Sequence, residues 1–279
     1  MELPEKISEC AFYNKNIVCS SDNIVNKMKD FLNNSGISIS NNNKENIVEK
    51  IKDITNCDNE SCVLKNLKFS NFVGNEKIEK ELEENFKPDG PALTFDLLNN
   101  INIDDVLEQF TKAYKKENFL HIPFQMRDFA KYEDEYRRDR NLNTIDLSQK
   151  FNDGMKCFGV VINTDYSTGR GIHWFSIFGD FRKKPYTIEY FNSSGNLPII
   201  EISIWMKNIK TKLSRELDVE INDIIVSRIA HQTGDNACGV YSLYYILSRL
   251  EKIPYEYFAS NRIPDELMDT FRQVFFRWS

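Results

Sequence analysis

The chain has 279 residues, of which 41% are hydrophobic, so it can bury a sizeable core as one large domain or two smaller ones. Its first ten residues contain acids and no apolar run, and no segment reaches the ~20 continuous apolar residues of a membrane span, so we expect neither a signal peptide nor a transmembrane helix. The net charge is −6 and the basic residues are dispersed along the chain. The sequence therefore shows no basic patch for nucleic acid, and we expect no nucleic-acid partner.

Residues 1–88 show the pattern of a polar, helical N-terminal arm. Two segments, one on each side of residues 33–43, carry apolar residues at helical spacing, and a third helix is predicted over 76–86. Residues 33–43 themselves are rich in Asn, Ser and Gly, which favours a loop. The Pro- and Gly-containing stretch 87–91 ends the helical pattern, so we predict a second domain over 89–279. We expect the arm to have few residues for a core of its own.

Six cysteines in a chain of this length do not form the dense pattern of a disulfide framework, and a reducing compartment is expected. Cys57 and Cys62 are close enough in sequence to suggest a pair of metal ligands. Structural zinc requires further ligands, and no histidine or second cysteine pair lies nearby, so we expect no metal site there.

The second domain alternates predicted helices and strands. An amphipathic helix around Phe110 follows a start signal at 102–105, and the charged run 131–140 is predicted to be a solvated helix or loop. His121 lies in an apolar stretch, and we interpret it as structural. The remaining predicted elements are three strands that form the central sheet, over 157–163, 174–181 and 186–192, a helix over 199–217, and a further strand over 224–229.

Cys238 stands where a polar turn gives way to a helical pattern. Residues 231–236 form the turn, and apolar residues recur at three- and four-residue spacing from Val240 to Leu250. A helix start carries a partial positive charge, which lowers the pKa of a thiol and raises its thiolate fraction. Taken alone, however, the Cys-Gly pair fits an inert buried cysteine better than a nucleophile.

Three upstream polar residues supply the partners that a nucleophilic thiol needs. His173 heads an aromatic strand and can act as the base, and Asn192, at the end of the next strand, can orient it. Gln232, six residues before Cys238, can place an amide N–H beside the backbone N–H of Cys238 as an oxyanion hole. Each residue also has a simpler interpretation, as strand cap, turn residue or solvated side chain, but the four in this order favour catalysis. Cys157 begins a buried strand without a histidine in its motif and is a poor nucleophile candidate.

The order His-Trp, then Asn, then Gln followed by Cys-Gly resembles the cysteine proteases of the SUMO-deconjugating and adenovirus-protease type. Within that group the chain is most similar to the polyprotein-processing proteases of African swine fever virus and its large-DNA-virus relatives. Asn192 stands where the wider group usually has Asp. The segments that carry the resemblance are 163–169, 173–174, 189–196 and 238–243, and it extends through 57–63 and 86–91.

The resemblance implies an α+β fold, in which a cysteine-protease core with a mostly antiparallel central sheet is flanked by helices. The Cys238 thiolate would attack a peptide carbonyl, and His173 would protonate the leaving amine. Asn192 would orient the imidazole, while Gln232 would stabilise the oxyanion. Gly239 would leave room for backbone to approach the nucleophile. Neither a metal nor an organic cofactor is expected.

The same resemblance implies cleavage after Gly-Gly, in a narrow channel closed by Trp174. The implied substrates are viral structural polyproteins, cut during particle maturation in the host cytoplasm, at viral factories, and in the virion. Two alternatives remain. One is a SUMO or ubiquitin-like deconjugating protease, and the other is a non-catalytic binding module on the same fold.

Overall fold

A computed structural model of the chain describes residues 7–39, 43–131, 140–226 and 228–278. These residues form two compact units, one comprising Phe95–Phe271 and the other comprising 7–94 together with 272–278. The boundary predicted at residue 88 lies six residues before this division, and nothing in the sequence indicated that the C-terminal residues belong with the arm. Most of the charged run predicted over 131–140 falls outside the described residues.

The arm unit is built from short helices with polar caps. Asparagine and serine side chains accept backbone N–H groups at the first turn of four helices, which satisfies donors that a helix start leaves open. The predicted helix over 76–86 is confirmed to within one residue. The helices are α1 Asp22–Asn34, α2 Lys44–Thr55, α3 Glu60–Lys65, α4 Leu67–Val73 and α5 Asn75–Asn85.

The arm unit has a hydrophobic core of its own, contrary to the sequence-based expectation. Met28 and Leu32 from α1 meet Ile51 from α2 and Phe69 from α4, and all four side chains are fully buried. Phe86 closes the same cluster. Several short amphipathic helices that are each marginal alone therefore stabilise one another by packing.

The expectation that the cysteines do not pair is wrong for four of them. Cys10 is bonded to Cys19 and Cys57 to Cys62, both within the arm unit. The partners are only nine and five residues apart in sequence, so each bridge closes a local loop and leaves no long-range spacing pattern to detect. The other two cysteines are buried thiols in the second unit.

The second unit contains a six-stranded sheet in the order β1-β3-β4-β5-β6, with β2 also paired to β3. The two central pairings, β3 with β4 and β4 with β5, are antiparallel, whereas the outer pairings are parallel. The α+β class is confirmed, with a mixed sheet that is antiparallel at its centre. The strands are β1 Phe119–His121, β2 Gln125–Met126, β3 Cys157–Asn163, β4 Trp174–Asp180, β5 Tyr186–Phe191 and β6 Ile221–Ile225.

The last predicted strand, over 224–229, is placed too late in the sequence. The observed strand β6 starts at Ile221 and includes the polar residues Asn222 and Asp223. The burial of β6 alternates along the chain, so only one of its faces is covered by the protein and the polar residues can occupy the other. Only the first two residues of the apolar run, Ile224 and Ile225, belong to the strand.

Helices cover the sheet, and one of them is central to the unit. The helix α9 packs against β4 and β3, and all of its residues are buried, so the protein covers it on every side and not on one face as its spacing suggested. None of the helices in the described part of the chain is long and apolar enough to cross a bilayer. The helices of this unit are α6 Asn100–Ala113, α7 Leu147–Asn152, α8 Ile200–Leu217, α9 Cys238–Leu250, α10 Tyr255–Ser260 and, continuing past the unit's end, α11 Asp265–Phe275.

Candidate active site

Cys238 is the first residue of α9, as its sequence context predicted. Its side chain is 3% exposed and lies where the positive end of the helix dipole favours a thiolate. The Ser242 hydroxyl donates to the Cys238 carbonyl at 2.9 Å and fixes this first turn. The thiol therefore lies at a position that favours its anionic form.

His173 immediately precedes β4 and is half-buried. Its Nε2 lies 2.8 Å from Oδ1 of Asn192 and 3.2 Å from Oγ of Ser194. An amide oxygen only accepts, so Nε2 carries the proton and Nδ1 is the basic atom of the ring. Burial lowers the pKa of His173, and the hydrogen bond to Asn192 offsets only part of that effect.

Asn192 follows the end of β5 and is held by two further contacts. Its Oδ1 also accepts the Ser194 backbone N–H at 3.0 Å, and its Nδ2 donates to the Tyr190 hydroxyl at 2.9 Å. Since a backbone N–H can only donate, these contacts fix which end of the amide faces His173. Burial raises the pKa of Tyr190 to about 12, so its hydroxyl is neutral at physiological pH.

Tyr190 and Ser194 are supporting residues to which the sequence analysis gave no role. Tyr190 lies two residues before Asn192 on an extended segment, so both side chains project from the same face. That spacing was a usable signal for Tyr190. Ser194 had none, because its contact with His173 depends on how the turn after β5 folds.

Gln232 lies in the loop between β6 and α9, half-buried, and is not a simply solvated side chain. Its Oε1 accepts the Ser193 hydroxyl at 2.8 Å, and its Nε2 donates to the Gly234 carbonyl at 2.5 Å. The Ser193 carbonyl in turn accepts the backbone N–H groups of His231 and Gln232. One amide proton of Gln232 is engaged with Gly234, so a second remains for another acceptor.

The turn after β5 and the loop before α9 approach closely at Gly195. This residue has φ +71°, and a Cβ there would lie 2.8 Å from the Ala230 backbone nitrogen. Only glycine fits both the conformation and the space. The close approach brings Ser193 to Gln232, so residues of the same turn support both His173 and Gln232.

A groove of about 870 Å³ within the second unit includes Cys238 and Trp174 among its walls. Trp174 is fixed, since its Nε1 donates to the Leu98 carbonyl at 2.9 Å and its ring packs edge-on against Phe124. Phe124 and Leu98 line the same groove. The thiol thus faces a channel with a rigid aromatic wall.

Gly239 packs closely against Leu98. A Cβ at this position would lie 3.0 Å from Cβ of Leu98 and 3.1 Å from its Cδ1. The space left by the missing side chain is therefore filled by Leu98, and the expected approach of substrate backbone at Gly239 stays a prediction. No cluster of three His, Cys, Asp or Glu side chains suited to a metal occurs in the described part of the chain.

Comparison with known proteins relates the chain to one protease family. The C-terminal catalytic domain of the Ulp1 protease family matches residues 103–277. The SUMO-1 cysteine protease of African swine fever virus, from a pig isolate from Kenya, is 36% identical over 241 residues, which cover 81% of this chain and 85% of the relative. A cysteine protease from a tick isolate of that virus from Malawi matches equally well. The crystal structure of an African swine fever virus protease matches with a TM-score of 0.82 and 31% identity, over 98% of this chain and 97% of that chain.

Proposed function

The chain belongs to the Ulp1 protease family and is a cysteine protease, and we propose that it is an endopeptidase that cleaves viral structural polyproteins after Gly-Gly during virion maturation. The observation that carries this proposal is the match to the African swine fever virus protease, which extends over 98% of the chain and so includes the arm. Its place of action would be the host cytoplasm and the virion.

In the proposed reaction the Cys238 thiolate attacks the peptide carbonyl while His173 holds the thiol proton at Nδ1. The tetrahedral intermediate collapses, and the imidazolium gives that proton to the leaving amine. Water then attacks the acyl-enzyme, with His173 accepting a proton from it and returning one to the departing thiolate. The hydrogen bond from Nε2 to Asn192 keeps the ring in the orientation that both transfers need.

Gln232 and the backbone N–H of Cys238 are the proposed oxyanion donors. The amide end of Gln232 is oriented by Ser193 and Gly234, which leaves one N–H to meet the developing charge. A donor fixed before the reaction costs no reorganisation during it, which is the property that such a site requires.

The Gly-Gly preference is supported by the fixed wall of the groove. Trp174 cannot swing aside easily, since its hydrogen bond to Leu98 and its packing against Phe124 hold it. A channel bounded by a fixed ring beside the thiol admits bare backbone more readily than a residue with a Cβ.

A second candidate function is removal of SUMO from conjugates. The observation that favours it is the name of the African swine fever virus relative, a SUMO-1 cysteine protease, together with the Ulp1 family itself. Both candidates use the same thiol chemistry and the same Gly-Gly preference, so only the substrate separates them.

The test is to incubate the full chain separately with viral capsid polyproteins and with a SUMO-1 conjugate, using the Cys238→Ala variant as the control. We expect polyprotein cleavage by the unmodified chain alone, with N-terminal sequencing placing each cut after Gly-Gly. Cleavage of the SUMO-1 conjugate with intact polyproteins would instead establish the second candidate. Cuts after other residue pairs would refute the proposed specificity.

A further inference from the structure

The carboxylate of Asp265, the first residue of α11, contacts the loop that contains Gln232. Its Oδ2 accepts the backbone N–H of Gly234 at 2.9 Å, the backbone N–H of Thr233 at 3.0 Å and the Thr233 hydroxyl. Its Oδ1 lies 2.8 Å from the hydroxyl of Tyr241, on α9. One side chain therefore joins the start of α11, the loop and the helix that begins with the thiol.

Gly234 connects Asp265 to Gln232. The N–H of Gly234 donates to Asp265, and its carbonyl accepts from Nε2 of Gln232 at 2.5 Å. A carbonyl can only accept, so the position of Gly234 determines where the NH₂ end of the Gln232 amide points. Asp265 thus acts on the amide through a single residue, Gly234, whose N–H and carbonyl belong to two successive peptide units.

The charge of Asp265 suits it to this role. Burial raises the pKa of its carboxyl, but the hydrogen bonds from Thr233, Gly234 and Tyr241 outweigh burial and hold the pKa below the ordinary range of an aspartate. The carboxylate is therefore ionised at neutral pH, and it lies at a helix N-terminus, which favours a negative charge. Charge-assisted bonds to backbone N–H groups are the stronger kind, so the anchor is rigid.

We propose that Asp265 is a positioning residue that holds the Gln232 amide in place to stabilise the oxyanion. This inference rests on the proposed function, because the role of Gln232 belongs to it. Thr233 and Gly234 are exposed, and without the carboxylate their peptide units would be free to reorient in water. An oxyanion donor loses its advantage when it has to be reorganised during the reaction.

The kinetic test combines Asp265→Asn with Gln232→Ala on a Gly-Gly peptide substrate. Gln232→Ala is expected to lower kcat by about 10²–10³-fold, and Asp265→Asn by about tenfold with KM unchanged. The double variant should have the kcat of Gln232→Ala, because Asp265 acts only through that amide. Glu266→Gln is the matched control, since it removes the same charge from the same helix turn at an exposed side chain, and its kcat should not change.

Additive losses in the double variant would overturn the inference, because Asp265 would then act by another route. A normal kcat for Asp265→Asn would also overturn it. A normal kcat for Gln232→Ala would overturn both this inference and the oxyanion assignment, while loss of activity in Cys238→Ala would still support the thiol mechanism.

Amide hydrogen exchange gives a readout that needs no substrate, so it separates failure of this inference from failure of the proposed function. Asp265→Asn should speed exchange at Thr233 and Gly234, and leave it unchanged at His231 and Gln232, whose N–H groups donate to the Ser193 carbonyl. Uniform acceleration would show a general loss of structure and overturn the positioning role. If Asp265→Asn does not fold, Thr233→Ala, which removes only the hydroxyl contact, should lower kcat less and show the same dependence on Gln232.

Discussion

The central sheet and α9 have two ends, which differ in their charged side chains. One end holds paired buried charges, and the other holds a histidine beside a neutral amide. At the site end, Cys238 begins α9, His173 precedes β4 and Asn192 follows β5. At the ion-pair end, Asp180 closes β4 and Arg249 lies in the last turn of α9. Both ends belong to the same elements, and they differ in the charged side chains they carry and in which end of the α9 dipole they contain.

The ion-pair end is a buried network in which every charge has partners. Arg249 donates to both carboxylate oxygens of Glu189, at 2.7 and 2.9 Å, and to Asp180 at 2.9 Å. Arg182 also pairs with Asp180, at 2.7 Å, and the Tyr245 hydroxyl donates to Glu189 at 2.6 Å. Burial lowers the pKa of Arg249, but its bonds to Glu189 outweigh that and raise it overall, so this cation does not titrate.

The site end has a neutral amide where the other end has carboxylates. Asn192 accepts from the imidazole without adding charge, so burial can lower the pKa of His173 and leave its proton mobile. The thiol at the ion-pair end is not adjustable in this way, because burial raises the pKa of Cys157 to about 12. The Arg249 cation is therefore always charged, whereas His173 can gain and lose a proton.

The largest expected effect separates the two thiols. Cys238→Ala should lower kcat by about 10⁴-fold or more while the melting temperature stays the same, because only this thiolate can form the acyl-enzyme. Cys157→Ala is the matched control and should keep most of the activity. Peptide hydrolysis and labelling with a thiol reagent measure both variants, and labelling at Cys157 with Cys238 spared would reverse the assignment.

The next effect is on stability at the ion-pair end. Arg249→Met should lower the free energy of unfolding by about 3–5 kcal/mol, because it leaves Glu189 buried without its cation. Adding Glu189→Gln should restore part of the loss, since the uncompensated charge is then removed. Denaturant unfolding measures both variants. A large fall in kcat with unchanged stability would mean that this end takes part in the chemistry.

Placing a carboxylate at the site end should shift the pH dependence. Asn192→Asp adds a negative charge beside the imidazole, which favours the protonated ring and raises the pKa of His173. The basic limb of kcat/KM should then move to higher pH, by about one to three units, because the imidazolium that protonates the leaving amine persists to higher pH. An unchanged basic limb would show that His173 does not govern it.

The smallest expected effect concerns the support of Asn192. Tyr190→Phe removes the hydroxyl that accepts from the amide and should lower kcat by about two- to tenfold, the equivalent of one hydrogen bond worth about 0.5–1.5 kcal/mol. Tyr186→Phe, on the same strand but away from the site, is the control and should keep full activity. Equal losses in both variants would point to general destabilisation.

The sequence alone determined the locally encoded parts of this protein: α5, the strands β3 to β5, the start of α9 at Cys238, and the order of the four candidate site residues. Each depends on periodicity or on a motif within a few residues of chain. Tertiary structure decided the disulfide pairing, the core of the arm, the position of β6 and the filling of the space at Gly239 by Leu98. It also decided the contact of Asp265 with Thr233, which joins residues 32 positions apart. Such contacts depend on which surfaces meet when the chain packs, and no local pattern records that.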